Sequence, residues 1–219
     1  MANNQTKSKQ RVVDHGEVFT AEREVNAMLD LVKQETERID SRFLEPACGD
    51  GNFLAEILHR KLSVVKIRYG RNPDDYERYA VLAVTSIYGV DLLQDNVNDC
   101  QERMFKLFDE AYRENCKNRH NDDTRNAVQH ILRHNILCGN ALTLKTANGE
   151  PIVFAEWSAV NSYLLKRRDF RLDQMIDGHA AQSTLDMTGW TYDKEVKALI
   201  PLPIREFPPI HYRQVQQYG

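Results

Sequence analysis

The sequence predicts an α/β fold, with a mainly parallel sheet and helices on both of its faces. Two observations lead to this prediction. The apolar run Arg42–Glu45 is followed by the turn Gly49-Asp50-Gly51 and then by an amphipathic helix, which is how doubly wound domains form a ligand crevice after their first strand. Short apolar segments also alternate with segments of helical period, which favours parallel strands joined by helices.

Each predicted element follows from its local pattern. Apolar residues at helical spacing, among them Val25 and Leu29, predict a first helix from Thr20 or Ala21 to about Ile39. Short buried runs predict four strands, and amphipathic stretches between them predict four further helices. The predicted strands are Arg42–Glu45, Ser86–Val90, Ile136–Cys138 and Ile152–Ala155. The further helices are Asn52–Lys66, Asp75–Thr85, Gln94–Asn115 and Thr124–Arg133.

The pattern weakens beyond Trp157. A short helix is predicted within Ser162–Met175, and residues 188–212, rich in proline and aromatic residues, are predicted to be extended or irregular. We therefore predict one domain over residues 1–158, flexible over residues 1–14, with residues 159–219 as an irregular C-terminal extension of the same domain. The sequence leaves open whether this extension joins the core or forms a docking tail.

The composition is that of an ordinary globular protein, with 42% hydrophobic and 28% charged residues. No apolar run reaches the roughly 18 residues of a membrane-spanning helix, and the polar N-terminus lacks the apolar core of a signal peptide. We therefore expect a cytoplasmic protein. The four cysteines lack Cys-x-x-Cys spacing, which predicts reduced, mostly buried thiols and no metal site. A net charge of −3 argues against strong independent binding of DNA.

Residues 43–54 read FLEPACGDGNFL. A lone Gly-x-Gly would also suit a nucleotide-binding fold, so the flanking residues decide. The whole stretch resembles the S-adenosylmethionine motif of adenine-specific DNA methyltransferases, in which Glu/Asp-Pro-x-Cys-Gly-x-Gly is typical. The resemblance implies a Rossmann-like class I methyltransferase fold, with S-adenosylmethionine as the cofactor.

Three further segments are similar to motifs of the same family, in the same order. Gly16–Thr20 resembles an N-terminal Phe-Thr-Pro motif, with Ala21 in place of the proline. Tyr88–Leu92 ends the second strand with a carboxylate, which can accept hydrogen bonds from both ribose hydroxyls. Ile136–Leu142 resembles the Gly-Asp-x-Leu segment whose aspartate holds the adenine amino group of the cofactor.

The resemblance assigns roles within these segments. Glu45 would meet the ammonium group of the cofactor, Leu92 would pack on its adenine, and the amide oxygen of Asn140 would replace the usual aspartate. Purely structural alternatives are that Thr20 caps the first helix and that Asp91 is a helix N-cap. The residues implied for cofactor binding are Phe19, Thr20, Glu45, Pro46, Ala47, Gly49, Asp50, Gly51, Phe53, Asp91, Leu92, Asn140 and Ala141.

Methylation of an adenine amino group also needs an acceptor site for the flipped base. The family encodes this site as [Asp/Asn/Ser]-Pro-Pro-[Tyr/Phe/Trp] after the fourth strand, and this sequence contains no such tetrapeptide. Glu156 and Trp157 stand at the corresponding position. We consider them catalytic candidates that would supply a carboxylate acceptor and a stacking ring. The alternative is an ordinary strand carboxylate and a core tryptophan.

Too few residues follow position 158 for an ordinary DNA-recognition domain. The one dense basic cluster is the candidate for contacts with DNA phosphates, and a solvated surface is the alternative. The resemblance implies a site-specific DNA adenine methyltransferase of the restriction-modification type, working with a specificity or restriction subunit. The alternative function is a catalytically impaired S-adenosylmethionine-binding module or a non-catalytic subunit of a larger complex. The basic cluster consists of Lys166, Arg167, Arg168 and Arg171.

Overall fold

The computed structural model describes residues 6–15, 17–181, 190–193 and 198–218. This part of the chain is a mixed α/β protein with a three-stranded parallel sheet and a layer of helices. Two short 3₁₀ helices span Lys117–Arg119 and Tyr212–Tyr218. The α-helices are α1 (Lys9–His15), α2 (Glu22–Asp30), α3 (Lys33–Thr36), α4 (Asn52–Tyr69), α5 (Pro73–Thr85), α6 (Gln94–Cys116), α7 (Asp122–Asn135) and α8 (Leu172–Ala181).

The parallel sheet contains β1 (Phe43–Glu45), β2 (Ile87–Asp91) and β3 (Ile136–Cys138), in the order β1-β2-β3. These are three of the predicted strands, and their observed bounds differ from the predicted ones by at most one residue. Buried parallel strands read as continuous apolar runs, which is why the sequence located them. Because the strands are parallel, their carboxyl ends meet at one edge of the sheet.

The helices between these strands also confirm the prediction, and side-chain caps set two of their starts. The Asn72 side chain accepts a hydrogen bond from the Asp74 N–H (3.1 Å) and begins α5, with Pro73 in the first turn. The Asn121 side chain accepts one from the Asp123 N–H (2.7 Å) and begins α7. Such caps satisfy backbone donors that a helix leaves free, so α7 starts two residues before the predicted Thr124.

The first predicted helix is divided into α2 and α3, with a turn at Leu31 and Val32. The sequence suggested one continuous apolar face, but only Val25 and Leu29 of that face are buried. Leu31 is 86% exposed. Since most of a helix's stability in a protein comes from the packing of its apolar face, the helix ends where that contact with the core ends.

The helices that join the parallel strands cover one face of the sheet, and Leu172, the first residue of α8, packs on the other face. The connections β1-α4-α5-β2 and β2-α6-α7-β3 cross the sheet in the same direction. Right-handed crossovers then place both helical layers on the same side, and α4 and α6 pack against β2 there. The opposite face carries Tyr88 and Val90, which pack against Phe154 and other residues of the following segment.

The fourth predicted strand does not extend the parallel sheet. β4 (Val153–Ala159) pairs antiparallel with β5 (Leu164–Arg171), so the prediction of a mainly parallel sheet is wrong for this half of the chain. The rings of Tyr88 and Phe154 meet edge to face with centroids 5.4 Å apart, which places this hairpin against the sheet. Further antiparallel strands are β6 (Trp190–Asp193) paired with β7 (Ala198–Pro201), and β8 (Arg205–Glu206) and β9 (Ile210–His211) paired with β5.

The described part of the C-terminal extension is more regular than predicted. A strand occupies most of the segment predicted as a short helix, and α8 begins only at Leu172. The expectation of extended chain over residues 188–212 is confirmed at the four strands β6–β9, while residues 188–189 and 194–197 lie outside the described residues. Tyr212 and Val215 are buried in the same core as the helices, so this part of the extension is not a detached tail.

Glu77 of α5 joins the extension to the helical layer. It is 1% exposed, and its carboxylate accepts hydrogen bonds from the Tyr112, Thr124 and Tyr212 hydroxyls and from the Arg213 guanidinium. Burial alone would raise the pKa of Glu77, but hydrogen bonds, led by that from Arg213, lower it. A buried carboxylate is tolerated only when it is bonded in this way.

The N-terminal segment is also more ordered than predicted. Residues 1–5 lie outside the described residues, but α1 follows them and contacts the start of α6. The Arg11 guanidinium forms ion pairs with Glu17 and Asp95 and donates a hydrogen bond to Asn96 Oδ1 (3.1 Å). Lys7 pairs with Asp95 and with Asp99. These partners are far apart in sequence, which is why the local composition did not indicate them.

Candidate functional site

A crevice of about 610 Å³ lies at the carboxyl ends of the three parallel strands. Glu45, Asp91 and Gly139 line it from the ends of β1, β2 and β3, and the Glu17–Thr20 segment closes one side. Every predicted cofactor residue lines this crevice except Gly51, which is buried behind it. The volume falls within the roughly 300–1,000 Å³ typical of small-molecule sites.

The two glycines of the turn have a left-handed backbone. Gly49 has φ +52° and Gly51 has φ +92°, angles that other residues adopt only with strain. A Cβ at Gly49 would lie 3.0 Å from Phe19 Cε1, and one at Gly51 would lie 2.7 Å from Cys100 Sγ. The turn is therefore closely packed between the Phe19 ring and α6.

Cys48 fills the space below this turn. It is 6% exposed, and a Cβ at Gly89 of β2 would lie 3.0 Å from its Sγ. Contact with the Cys100 thiol and burial raise the pKa of Cys48, which keeps it protonated and inert. The four cysteines are free and three of them are buried, which confirms the expectation of reduced, mostly buried thiols.

Asp91 connects the glycine turn to the start of α6. Its Oδ2 accepts a hydrogen bond from the Gly49 N–H (3.0 Å), and its Oδ1 accepts from the Leu93 N–H (2.9 Å) and from Asn96 Nδ2 (3.1 Å). The N-cap position of α6 belongs to Leu93, so the N-cap alternative for Asp91 does not hold. A carboxylate has about four acceptor sites, and these three bonds leave one for a ligand.

The Phe19-Thr20 pair lies at the crevice and does not cap a helix. The N-cap of α2 is Ala21, without a side-chain cap. The Thr20 carbonyl instead accepts a hydrogen bond from Asn52 Nδ2 (3.2 Å), which ties this segment to the first residue of α4. The structural alternative given for Thr20 is therefore wrong, and the segment forms a wall of the site.

Glu17 is a crevice residue that the sequence reasoning missed. Its side chain is 8% exposed and accepts hydrogen bonds from Arg11 Nη2 (2.8 Å) and Asn96 Nδ2 (2.7 Å). Burial alone would raise the pKa of Glu17, but the bonds from Arg11 and Asn96 outweigh burial and lower it. The only signal in the sequence was its position two residues before Phe19.

Asp50 and Arg103 form a second missed feature. Arg103 Nη2 donates a hydrogen bond to Asp50 Oδ2 (2.7 Å), whereas Asp50 Oδ1 is buried and has no hydrogen-bond partner among the described residues. Arg103 lines an adjacent cavity of about 490 Å³, which shares Phe19, Thr20 and Asn52 with the crevice. A buried carboxylate oxygen without a donor is costly, and the pairing of the other Asp50 oxygen with Arg103 offsets part of that cost.

The charge of the crevice is one-sided. Among the described residues, four carboxylates line it, those of Glu17, Glu45, Asp50 and Asp91, and no basic side chain does. Glu17 is paired with Arg11 and Asp50 with Arg103, whereas Glu45 and Asp91 form no salt bridge within the described part of the chain. Such a site attracts a cationic ligand and repels phosphate.

Asn140 lines the crevice but does not offer its amide oxygen. This oxygen accepts hydrogen bonds from the N–H groups of Leu142 (2.9 Å) and Thr143 (3.1 Å), which uses both lone pairs. The predicted bond from Asn140 to an adenine amino group is therefore not available in this structure. The side chain closes a local turn instead, which is a common role of asparagine.

Glu156 and Trp157 do not lie at the crevice, which corrects their interpretation as catalytic residues. Glu156 pairs with Arg42, and Trp157 Nε1 donates a hydrogen bond to Asn135 Oδ1 (2.9 Å). Arg42 and Asn135 directly precede β1 and β3, so both candidates lie at the amino ends of the parallel strands. Trp157 is also 4% exposed. The antiparallel course of β4 carries these residues away from the ligand edge.

The predicted DNA-contact residues do not form one basic face. They lie on β5, where successive side chains point to opposite faces, and each has an acidic partner. Arg167 is buried and bonded to Asp169 (2.7 and 3.0 Å). The other pairs are Lys166 with Glu206, Arg168 with Glu156, and Arg171 with Asp173.

Comparison with protein-family models, with curated proteins and with solved structures finds no match to this chain. Within the described ranges, no group of three or more His, Cys, Asp or Glu side chains is arranged to hold a metal ion. Among the same residues, no helix combines the length and apolar character needed to cross a bilayer. The geometry of the crevice is therefore the main guide to function.

Proposed function

We propose that this chain binds S-adenosylmethionine in the acidic crevice and acts as a methyltransferase on the adenine N6 amino group of DNA, in the cytoplasm. The observation that carries the proposal is the charge of the site, with four carboxylates and no basic side chain among the described lining residues. S-adenosylmethionine carries a sulfonium and an ammonium group. Nucleotides that share the Gly-x-Gly turn carry phosphates, which this crevice would repel.

The residues present fit this cofactor. The Glu45 carboxylate at the crevice suits its ammonium group, and the remaining acceptor site of Asp91 suits a ribose hydroxyl. Leu92 is 56% exposed at the crevice, and together with Phe53 it gives an apolar surface for an adenine ring. The arrangement of strands and glycine turn is compatible with the Rossmann-like class I fold that the resemblance implies.

The bound cofactor would supply an electrophilic methyl carbon. The methyl group would pass to the adenine amino nitrogen as its carbon–sulfur bond breaks, and the proton displaced from that nitrogen would pass to water. The residues of this chain would hold and orient the methyl donor. Loss of the sulfonium charge weakens attraction to the carboxylates, which favours release of the product.

Isothermal titration calorimetry with S-adenosylmethionine tests the site. A charge-assisted hydrogen bond contributes about 1.5–3 kcal/mol, so Glu45→Gln is expected to weaken binding roughly 10- to 100-fold. Glu114→Gln is the matched control, because Glu114 of α6 is 66% exposed and, among the described residues, forms an ion pair with Lys66 of α4 alone. Failure of the wild-type protein to bind, or equal binding of ATP, would refute the proposal.

A non-catalytic module that holds S-adenosylmethionine for a larger complex is the second candidate. It is favoured by one observation: the predicted acceptor residues, Glu156 and Trp157, lie at the opposite end of the sheet from the crevice. Mass spectrometry of host DNA nucleosides, with and without expression, separates the two candidates. A rise in N6-methyladenine supports the enzyme. No rise, with cofactor binding intact, supports the module and a catalytic partner.

A further inference from the structure

The outer edge of β1 has unpaired backbone groups. The Phe43 N–H donates to the Ser86 carbonyl (2.9 Å), so the backbone groups of Phe43 point toward β2. Alternate residues of a parallel strand bond to opposite sides, and the N–H and C=O of Leu44 therefore point away from β2. Neither group has a hydrogen-bond partner among the described residues, and β1 pairs there with β2 alone.

An apolar cavity of about 150 Å³ lies beside this edge. Leu44 is 47% exposed and Met175 of α8 is 43% exposed, which is unusual for large apolar side chains grouped around one cavity. The walls include Phe43, Leu44, Tyr88, Phe154, Phe170 and Met175. An edge strand next to exposed apolar surface is a template for pairing with another strand.

The edge is also the side on which the crevice is incomplete. In open α/β sheets a ligand binds where the strand order reverses, between the first strand and its neighbour on the far side. Here β2 and β3 lie on one side of β1, and β4 leaves the sheet to pair with β5. No described strand occupies the far side of β1, directly beside Glu45 and the crevice.

We propose that this edge binds a β-strand of a basic partner polypeptide, parallel to β1, whose following turn completes the acceptor half of the crevice. The proposal rests on the proposed function. A strand parallel to β1 ends at the crevice, so the turn after it would bring an oxygen acceptor and an aromatic ring to the transferable methyl group. We infer a basic partner for two reasons. The crevice beside the edge is acidic, and the binding of DNA requires positively charged side chains, which the four paired residues of β5 do not offer.

A labelled peptide tests the edge directly. The probe is a fluorescein-labelled strand of about six alternating valine and threonine residues, followed by Asn-Pro-Pro-Tyr and two lysines. Binding is measured by fluorescence anisotropy in the presence of S-adenosylmethionine. Leu44→Lys places a charge on the edge and is expected to weaken binding at least roughly tenfold. Leu31→Lys, at an 86% exposed leucine remote from the edge, is expected to leave it unchanged.

Hydrogen exchange gives a second readout that needs no substitution, since the Leu44 amide should exchange more slowly when the probe is bound. Equal binding to wild type and Leu44→Lys, or no binding at about 1 mM probe, would overturn the proposal. Self-association of the free protein that Leu44→Lys abolishes would identify a second copy as the occupant and would also overturn it. If calorimetry shows cofactor binding but the probe does not bind, only this inference fails. If the cofactor does not bind, the proposed function fails.

Discussion

Replacing Gly51 by alanine tests the packing that holds the glycine turn against α6. Gly51 has φ +92°, and a Cβ there would lie 2.7 Å from Cys100 Sγ. Gly149 offers a matched control, because its φ is +81° and a Cβ there would have no neighbour within 4 Å. Both substitutions introduce backbone strain, but only Gly51→Ala also introduces a steric clash.

The expected costs follow from these two contributions. A left-handed backbone costs a non-glycine residue about 1–2 kcal/mol. Alanine also reduces the conformational entropy of the unfolded chain, which offsets about 0.4–1 kcal/mol of this cost. Gly149→Ala should therefore destabilise the protein by roughly 0.5–1 kcal/mol. Overpacking adds about 1–3 kcal/mol, so Gly51→Ala should cost roughly 2–4 kcal/mol.

Urea denaturation followed by tryptophan fluorescence measures both costs, because Trp157 is buried in the core. In the double variant Gly51→Ala/Cys100→Ala, the nearest remaining atom is Cys100 Cβ, at 3.4 Å. Its cost should fall below the sum of the single variants by roughly 1–3 kcal/mol. If Gly51→Ala costs no more than Gly149→Ala, or if the single costs simply add, the described packing of the turn is incorrect.

Two further predictions concern buried titratable groups. Burial and the neighbouring His134 lower the pKa of His130 to about 4. As the pH drops from about 6.5 to 4, this histidine is therefore protonated in the unfolded chain before it is protonated in the folded protein, and the free energy of unfolding falls. His130→Phe keeps an aromatic ring next to Trp157 but cannot titrate, so the variant should lose on the order of 2 kcal/mol less stability than the wild type between these pH values. Urea titrations at each pH measure this difference. An unchanged pH dependence would contradict the prediction. Glu77→Gln leaves Arg213 without its buried carboxylate and should lower the free energy of unfolding by about 3–5 kcal/mol. The measurement is the midpoint of urea denaturation, which should fall. A change under 1 kcal/mol would show that the network contributes little to stability.

Local patterns in the sequence located the strands and the glycine turn. β1, β2 and β3 are short runs of mainly apolar residues, and β2 is buried along nearly all of its length. A turn was predicted at Gly49-Asp50-Gly51, and both glycines have the positive φ that glycine adopts readily. Because the carboxyl ends of parallel strands lie at one edge of the sheet, the residues after β1, β2 and β3 could be predicted to line one crevice.

The course of the chain after β3 could not be predicted in this way. A short apolar run does not specify its neighbour or direction, and only packing against Tyr88 and pairing with β5 make β4 antiparallel. The basic cluster looked continuous because its residues are adjacent in sequence. In a strand, adjacent side chains point to opposite faces, and Arg167 became a buried partner of Asp169.

By itself, the sequence determined most of the residues that surround the crevice, since these follow short strands and a glycine turn that depend on local apolar pattern and backbone freedom, but it did not indicate Glu17. Only the tertiary structure decided what each side chain does there. The Asn140 oxygen is used by a local turn, Glu17 is charged because Arg11 approaches from α1, and Glu156 is carried to the far end of the sheet. The position of Glu156 depends on a contact with the distant residue Arg42, which no local pattern encodes. The backbone partners of Asn140 and the Arg11 partner of Glu17 lie within six residues of them, but only the folded backbone shows which hydrogen bonds form.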